Sequence, residues 1–128
     1  MYKPNDTDNE FAQASRSEQI RAFNDAFRTE PLSVLSAVLG RTFVFTKGVG
    51  ARGDDFLTRA LKTVQEYSTF AEDNDPHGER DFGSFELDGI KLFWKIDYYD
   101  QKLEHGSPDP ADPAVTRRVL TILLAEEY

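Results

Sequence analysis

The stretch FGSFELDGIKLFWKIDYYD, residues 82–100, decides the fold of this 128-residue chain. Asp88-Gly89 stands between two alternating runs, and this pair favours a type I′ turn because both of its residues tolerate positive φ. In the second run the even-numbered residues from Ile90 to Ile96 share one face, and the odd-numbered residues share the other. The stretch therefore predicts a β-hairpin with one covered face and with Trp94 in the core.

Helical patterns precede this hairpin. Ser15 and Glu18 form a capping-box pattern ahead of an apolar stripe that contains Ile20, Phe23 and Phe27. A second helix is predicted over residues 53–70, with Asp54 or Asp55 as its cap. Between the two helices, RTFVFT (41–46) reads as a strand, and LSVLSAVLG (32–40) as a short helix or an ordered loop.

The last part of the chain, SPDPADPAVTRRVLTILLAEEY, predicts a helix. Asp112 is expected to cap it, and Pro113 suits its first turn. Its apolar side would consist of Val115, Val119, Ile122 and Leu123.

These elements predict an α+β fold in the order α-β-α-β-β-α. We expect a small antiparallel sheet of about three strands, backed by three to four helices. Residues 1–14 are expected to be a mobile polar tail, and residues 15–128 a single domain. The chain has no cysteine, no signal-peptide pattern and no apolar run long enough to span a membrane, so we expect a cytoplasmic location.

The negative charge is concentrated in one part of the chain. Residues 71–112 hold twelve Asp and Glu but four Lys and Arg, which accounts for the whole net charge of −8. Such a surface repels nucleic acid and attracts basic partners, so we expect it to bind neither nucleic acid nor membranes directly. Solubility alone is the alternative explanation.

Three blocks of the chain carry a resemblance. IRAFNDAFR, AEDNDPHGERDFGSFELDGIKLFWKIDYYD and GSPDPADPAVTRRVLTILLAEEY resemble, in this order, the bacterial family catalogued as domain of unknown function 3768. The likeness runs from about Ile20 to Tyr128, and TEPLSVLSAVLG fits it less well. The resemblance implies a small single-domain protein, mostly encoded by alphaproteobacteria and often on mobile elements. It implies no activity, cofactor or catalytic residue, and members often have Tyr where this chain has His77.

The acidic residues and the aromatic run beside them predict a protein-binding surface. Carboxylates would steer a basic partner and exposed aromatic side chains would dock it. The predicted surface consists of Glu72, Asp73, Asp75, Glu79, Asp81, Asp97, Tyr98, Tyr99, Asp100 and Asp109. The chain would then be an accessory factor, in its most concrete form an inhibitor of a host defence nuclease of the anti-restriction or anti-CRISPR type.

The loop EDNDPHGERD, residues 72–81, also permits a metal site. Asp73, Asp75 and His77, with Asp97 as a further ligand, offer oxygen and nitrogen ligands, but the spacing lacks the bidentate Glu of an EF-hand. Zinc would need His77 and His105 together with carboxylates. A turn built from Asn, Asp, Pro and Gly is the simpler interpretation, and no cofactor is expected.

A hydrolase is the rival class of function. Glu79 with Asp97 or Asp100 is the carboxylate pair to consider as acid and base, and Asp73 and Asp75 would add to a metal-dependent version. The sequence contains no nucleophile elbow, P-loop or HExxH pattern. It therefore favours a binding protein over an enzyme.

Overall fold

The computed structural model describes residues 6–29 and 42–128, with side chains from Arg16 onward in its first helix. The predicted α+β class is confirmed. Its elements are helix α1 (Asp6–Thr29), strand β1 (Thr42–Phe45), short helix α2 (Lys47–Gly50), helix α3 (Asp54–Glu66), strands β2 (Phe82–Leu87), β3 (Ile90–Tyr99) and β4 (Arg117–Leu124), and a 3₁₀ turn (Ala125–Glu127). The predicted helix or loop over 32–40 lies outside the described residues.

The four strands form one mixed sheet in the order β1-β4-β3-β2. β3 pairs antiparallel with both β2 and β4, whereas β1 pairs parallel with β4. The prediction of a purely antiparallel sheet of about three strands is therefore wrong in its count and in one pairing. The long connection between β1 and β4 permits the parallel pair, which a short hairpin loop cannot form.

The hairpin between β2 and β3 forms as predicted. Leu87 pairs with Ile90, and the two turn residues, Asp88 and Gly89, have φ values of 53° and 76°. These are the left-handed conformations that a type I′ turn requires.

The C-terminal helix is a wrong prediction, because Arg117–Leu124 is a strand in the middle of the sheet. The sequence RRVLTILL is rich in β-branched residues, and strands on both sides pair with it. Tertiary pairing therefore overrides the helical spacing of the apolar residues. The predicted cap, Asp112, instead closes a turn by accepting a hydrogen bond from the Ala114 N–H at 2.9 Å.

Both predicted helix starts also need correction. Helix α1 begins at Asp6, so Ser15 and Glu18 lie inside it rather than at its start, and residues 6–14 of the predicted polar tail are helical. The cap position of α3 is Gly53 rather than Asp54 or Asp55. These two aspartates instead occupy its first turn, where their charge favours the positive end of the helix dipole.

The core lies between the helices and one face of the sheet. Trp94 is fully buried there, as predicted, in one core cluster with Val64 of α3 and Leu120 of β4. Burial of each such side chain contributes about 1.5–3 kcal/mol. The opposite face carries the odd-numbered side chains of β3; we call it the open face. None of the helices described in residues 6–29 and 42–128 is both long and apolar enough to cross a membrane.

Candidate protein-binding site

Two acidic loops lie at the same end of the sheet. β2 begins, β3 ends and β4 begins at that end, because β3 runs antiparallel to both neighbours. The loops 71–81 and 100–116 therefore leave the sheet side by side, and we call them the acidic end. They hold nine carboxylates and two lysine or arginine residues: Glu72, Asp73, Asp75, Glu79, Asp81, Asp100, Glu104, Asp109 and Asp112 against Arg80 and Lys102.

These carboxylates are left largely without ion pairs. In the part of the chain that the structure describes, Asp109 is the one member of the set that forms an ion pair, with Arg16 at 2.8 Å. Arg80 does not neutralise its own loop, because its guanidinium pairs with Asp25 of α1 at 2.9 Å. Ion pairs therefore compensate little of the negative charge at this end.

The first loop is a turn whose carboxylates lie near one another. Asp75 accepts the backbone N–H of Arg80 at 3.0 Å, and Gly78 supplies a positive φ of 69°. Burial, followed by the charge of Glu79, raises the pKa of Asp81 above its ordinary value. Glu72 and Asp73 are exposed. The loop thus gathers negative charge although Glu79 and Asp75 disfavour the ionisation of Asp81.

The second loop is held together by Asp100. Its carboxylate accepts the backbone N–H groups of Lys102 and Glu104 at 3.1 and 3.0 Å. Backbone hydrogen bonds from Glu104, His105 and Lys102 lower the pKa of Asp100, so it remains ionised at neutral pH.

A buried polar network joins both loops to the helix. Asn24 of α1 donates to the Tyr98 hydroxyl at 2.8 Å and to the Glu79 carbonyl at 3.0 Å. Tyr98 in turn donates to the Glu79 carboxylate at 2.8 Å. Arg118 donates to the Asn24 side chain at 2.7 Å and to the Pro110 carbonyl at 2.7 Å. One asparagine thus fixes the position of both acidic loops.

A second buried cation stabilises the layer of helices. Arg28 of α1 donates from Nη1 to the carbonyls of Val64 and Tyr67, both at 2.8 Å, at the C-terminal end of α3. Its guanidinium also lies 5.2 Å from the Trp94 ring. A cation suits the negative end of a helix dipole, and carbonyls left free at that end need a donor.

The sequence reasoning missed Asn24, Arg28 and Arg118. A signal for the first two is present, because Asn24 and Arg28 fall on the buried side of the helix with Ile20 and Phe27. A polar residue on an apolar stripe is buried only with hydrogen-bond partners. Arg118 carries no such signal, because the sequence predicts a helix where Arg118 lies in a strand.

The predicted binding residues 97–99 divide between the two faces of the sheet. Tyr98 points to the helices, where it is half-buried and hydrogen-bonded to Asn24. Asp97 and Tyr99 lie on the open face, and Asp97 pairs with Lys95 at 3.0 Å. The structure therefore brings together the loop residues of the predicted surface, but it separates Asp97 and Tyr99 from Tyr98.

The structure also positions the groups considered for catalysis and metal binding. Glu79 contacts Tyr98 on the helix side, whereas Asp97 lies on the open face, so these carboxylates do not face each other across one site. Within residues 6–29 and 42–128, no three His, Asp or Glu side chains are grouped to hold a metal ion. His77 and His105, the zinc candidates, are exposed residues of separate loops.

Comparison with known proteins agrees with the resemblance noted in the sequence. The model of one protein family matches residues 45–127, which span α2, α3 and the hairpin with both acidic loops. Neither the curated proteins nor the solved structures gave a match. Because the family model covers well over half of the chain, this protein belongs to the family described as "Protein of unknown function (DUF3768)".

Proposed function

We propose that this protein binds a basic surface of another protein through its acidic end. The observation that supports this is the set of nine carboxylates at one end of the sheet, of which a single one has an ion pair among the described residues. Uncompensated charge of one sign repels itself and costs stability, so a ligand of opposite charge is a physical reason for it. The carboxylates would steer the partner and form the rim of the contact.

The network beneath the loops suits this role. Asn24, Tyr98 and Arg118 hold both acidic loops on rigid elements through buried hydrogen bonds. A surface fixed in advance loses less conformational entropy when it binds. The contact would therefore use pre-positioned charges rather than loops that fold on binding.

The most specific partner in this proposal is a nuclease, which the protein would bind in its basic groove. Such grooves are lined with cations that bind phosphates, and a rigid row of carboxylates presents charge of the same sign. The protein would act as an inhibitor of a defence nuclease by occupying that groove. A cytoplasmic location, which the cysteine-free sequence led us to expect, would bring it together with such enzymes.

An arginine-rich peptide provides a defined first probe. We expect binding that weakens as salt rises, since exposed charges are screened. Glu72→Gln combined with Asp73→Asn should lower the affinity about tenfold. Glu86→Gln combined with Glu126→Gln, a matched pair of exposed residues at the opposite end of the sheet, should leave it unchanged. Equal losses in both variants would mean that net charge, and not the acidic end, binds the peptide.

Cleavage assays with purified restriction and CRISPR nucleases test whether the protein inhibits a defence nuclease. We expect slower cleavage that excess DNA reverses, and less inhibition by the Glu72→Gln, Asp73→Asn variant. No inhibition across such a panel, despite peptide binding, would reject the nuclease form and leave a different basic partner.

A further inference from the structure

A cavity of about 400 Å3 opens within the acidic end. It lies between the loop that follows β3 and the segment that leads into β4. Its lining includes Asp100, Lys102, Glu104, His105, Pro108 and Val115. The cavity therefore combines charged groups from one loop with an apolar wall from the other segment.

Hydrogen bonds stabilise the loop that forms one side of this cavity. The Asp100 N–H donates to the His105 carbonyl at 2.8 Å, and the Leu103 N–H donates to the Asp100 carbonyl at 3.0 Å. The Gln101 amide ties the loop to the Ala114 carbonyl at 2.6 Å. Together with the backbone bonds to the Asp100 carboxylate, these contacts make the cavity a pre-formed one.

Two carboxylates of the lining, Asp100 and Glu104, outnumber its one lysine, Lys102, so the lining favours a further cation with an apolar stem. Asp100 stays ionised, and Glu104 is exposed beside it with no ion pair to a described lysine or arginine. Pro108 and Val115 offer an apolar surface along which methylene groups pack. Among long side chains, arginine fits both parts, because its planar guanidinium binds carboxylates with two hydrogen bonds and is weakly hydrated.

We propose that this cavity receives an arginine side chain of the basic partner and so acts as the anchor of the interaction. This inference rests on the proposed function and deepens it by naming the group that is recognised. The surrounding carboxylates would attract the partner, and the cavity would set the register of the contact.

Chemical-shift mapping with short peptides tests the cavity directly. The full chain, labelled with ¹⁵N, is titrated with acetyl-Gly-Arg-Gly-amide and with the same peptide carrying lysine or norleucine instead of arginine. We expect the arginine peptide to shift the amide signals of Lys102, Glu104 and His105 at millimolar concentration, and the norleucine peptide to leave them in place. Equal shifts with norleucine, or tighter binding of the lysine peptide, would overturn the assignment to arginine.

A charge reversal at the rim of the cavity tests the carboxylate, and the same reversal elsewhere serves as its matched control. Glu104→Lys should weaken the arginine peptide about tenfold, whereas Glu86→Lys, an exposed glutamate on β2, should leave its affinity unchanged. Both variants keep the backbone N–H groups that hold the loop, and unchanged amide spectra elsewhere would show that they fold.

The two proposals fail in different ways. If the arginine-rich peptide binds and shifts signals in residues 72–79 alone, the cavity is not the anchor, but the acidic end still binds basic partners. If no basic peptide shifts any signal at low salt, both proposals are rejected.

Discussion

Gly83 of β2 and Trp94 of β3 lie opposite each other, so close that a Cβ atom on residue 83 would stand 2.3 Å from the indole Nε1. The Tyr67 ring closes the same space, at 2.7 Å from that Cβ position. The missing side chain thus allows the tryptophan to lie across the neighbouring strand. Trp94 in turn forms the centre of the core, with the rings of Tyr67 and Phe70 at 5.5 and 6.1 Å.

Gly83→Ala is therefore expected to destabilise the protein. The added methyl group meets the fully buried Trp94 ring and the half-buried Tyr67 ring, and overpacking of this kind costs about 1–3 kcal/mol. Urea unfolding followed by tryptophan fluorescence measures the loss. Ser84→Ala, at the exposed neighbouring position, should change the free energy of unfolding by less than about 0.5 kcal/mol. Equal stability of the two variants would contradict the close contact.

Replacement of Arg28 by methionine tests the cation at the end of α3. The change keeps most of the buried volume but leaves the Val64 and Tyr67 carbonyls without their donor and Asp25 without one of its partners. We expect a loss of about 3 kcal/mol in the free energy of unfolding. Arg52→Met, at an exposed position, provides the control. A loss below about 1 kcal/mol would show that water takes over the role of the guanidinium.

A double-mutant cycle tests the network under the acidic loops. Asn24→Ala should cost about 1–3 kcal/mol, because it leaves buried partners unsatisfied. Combined with Tyr98→Phe, the two changes should be non-additive by about 0.5–3 kcal/mol, since both remove the same 2.8 Å hydrogen bond. Faster amide exchange at Arg80 in the Asn24→Ala variant would report the loosened loop. Additive losses would mean that the two residues act independently.

The raised pKa of Asp81 predicts a pH dependence. The folded protein binds this proton more tightly than the unfolded chain does, so Asp81 lowers stability progressively as the pH rises from the unfolded-state to the folded-state pKa, and by the full amount above the latter. Asp81→Asn removes that charge and should be more stable than the parent protein at pH 7. The gain should shrink as the pH falls through the raised pKa and vanish below the unfolded value of about 3.9. Urea unfolding at several pH values checks this, and lower stability of the variant at pH 7 would contradict it.

Local chemistry explains which predictions succeeded. The hairpin depends on Asp88 and Gly89, whose left-handed conformations belong to the turn itself. Strict alternation along β3 placed Trp94 in the core for the same reason, because side chains of a strand point to alternate faces whatever surrounds them.

The errors come from residues whose state depends on distant partners. The apolar spacing of residues 117–124 suits a helix, yet these residues form a strand between β1 and β3, and residues 119–122 pair with a strand on each side. Asn24 and Arg118 are 94 positions apart in the chain, so their hydrogen bond left no local pattern. The clustering of acidic residues is visible in the sequence, and alternation divides residues 97–99 between the two faces once β3 extends to Tyr99.

The sequence by itself determined the hairpin, the α+β class and the total of negative charge, since each follows from neighbouring residues or from composition. Tertiary structure alone decided that the C-terminal segment is a central strand and that two acidic loops meet at one end of the sheet. The physical reason is that strand pairing joins distant segments, and the direction of each strand determines which loops become neighbours.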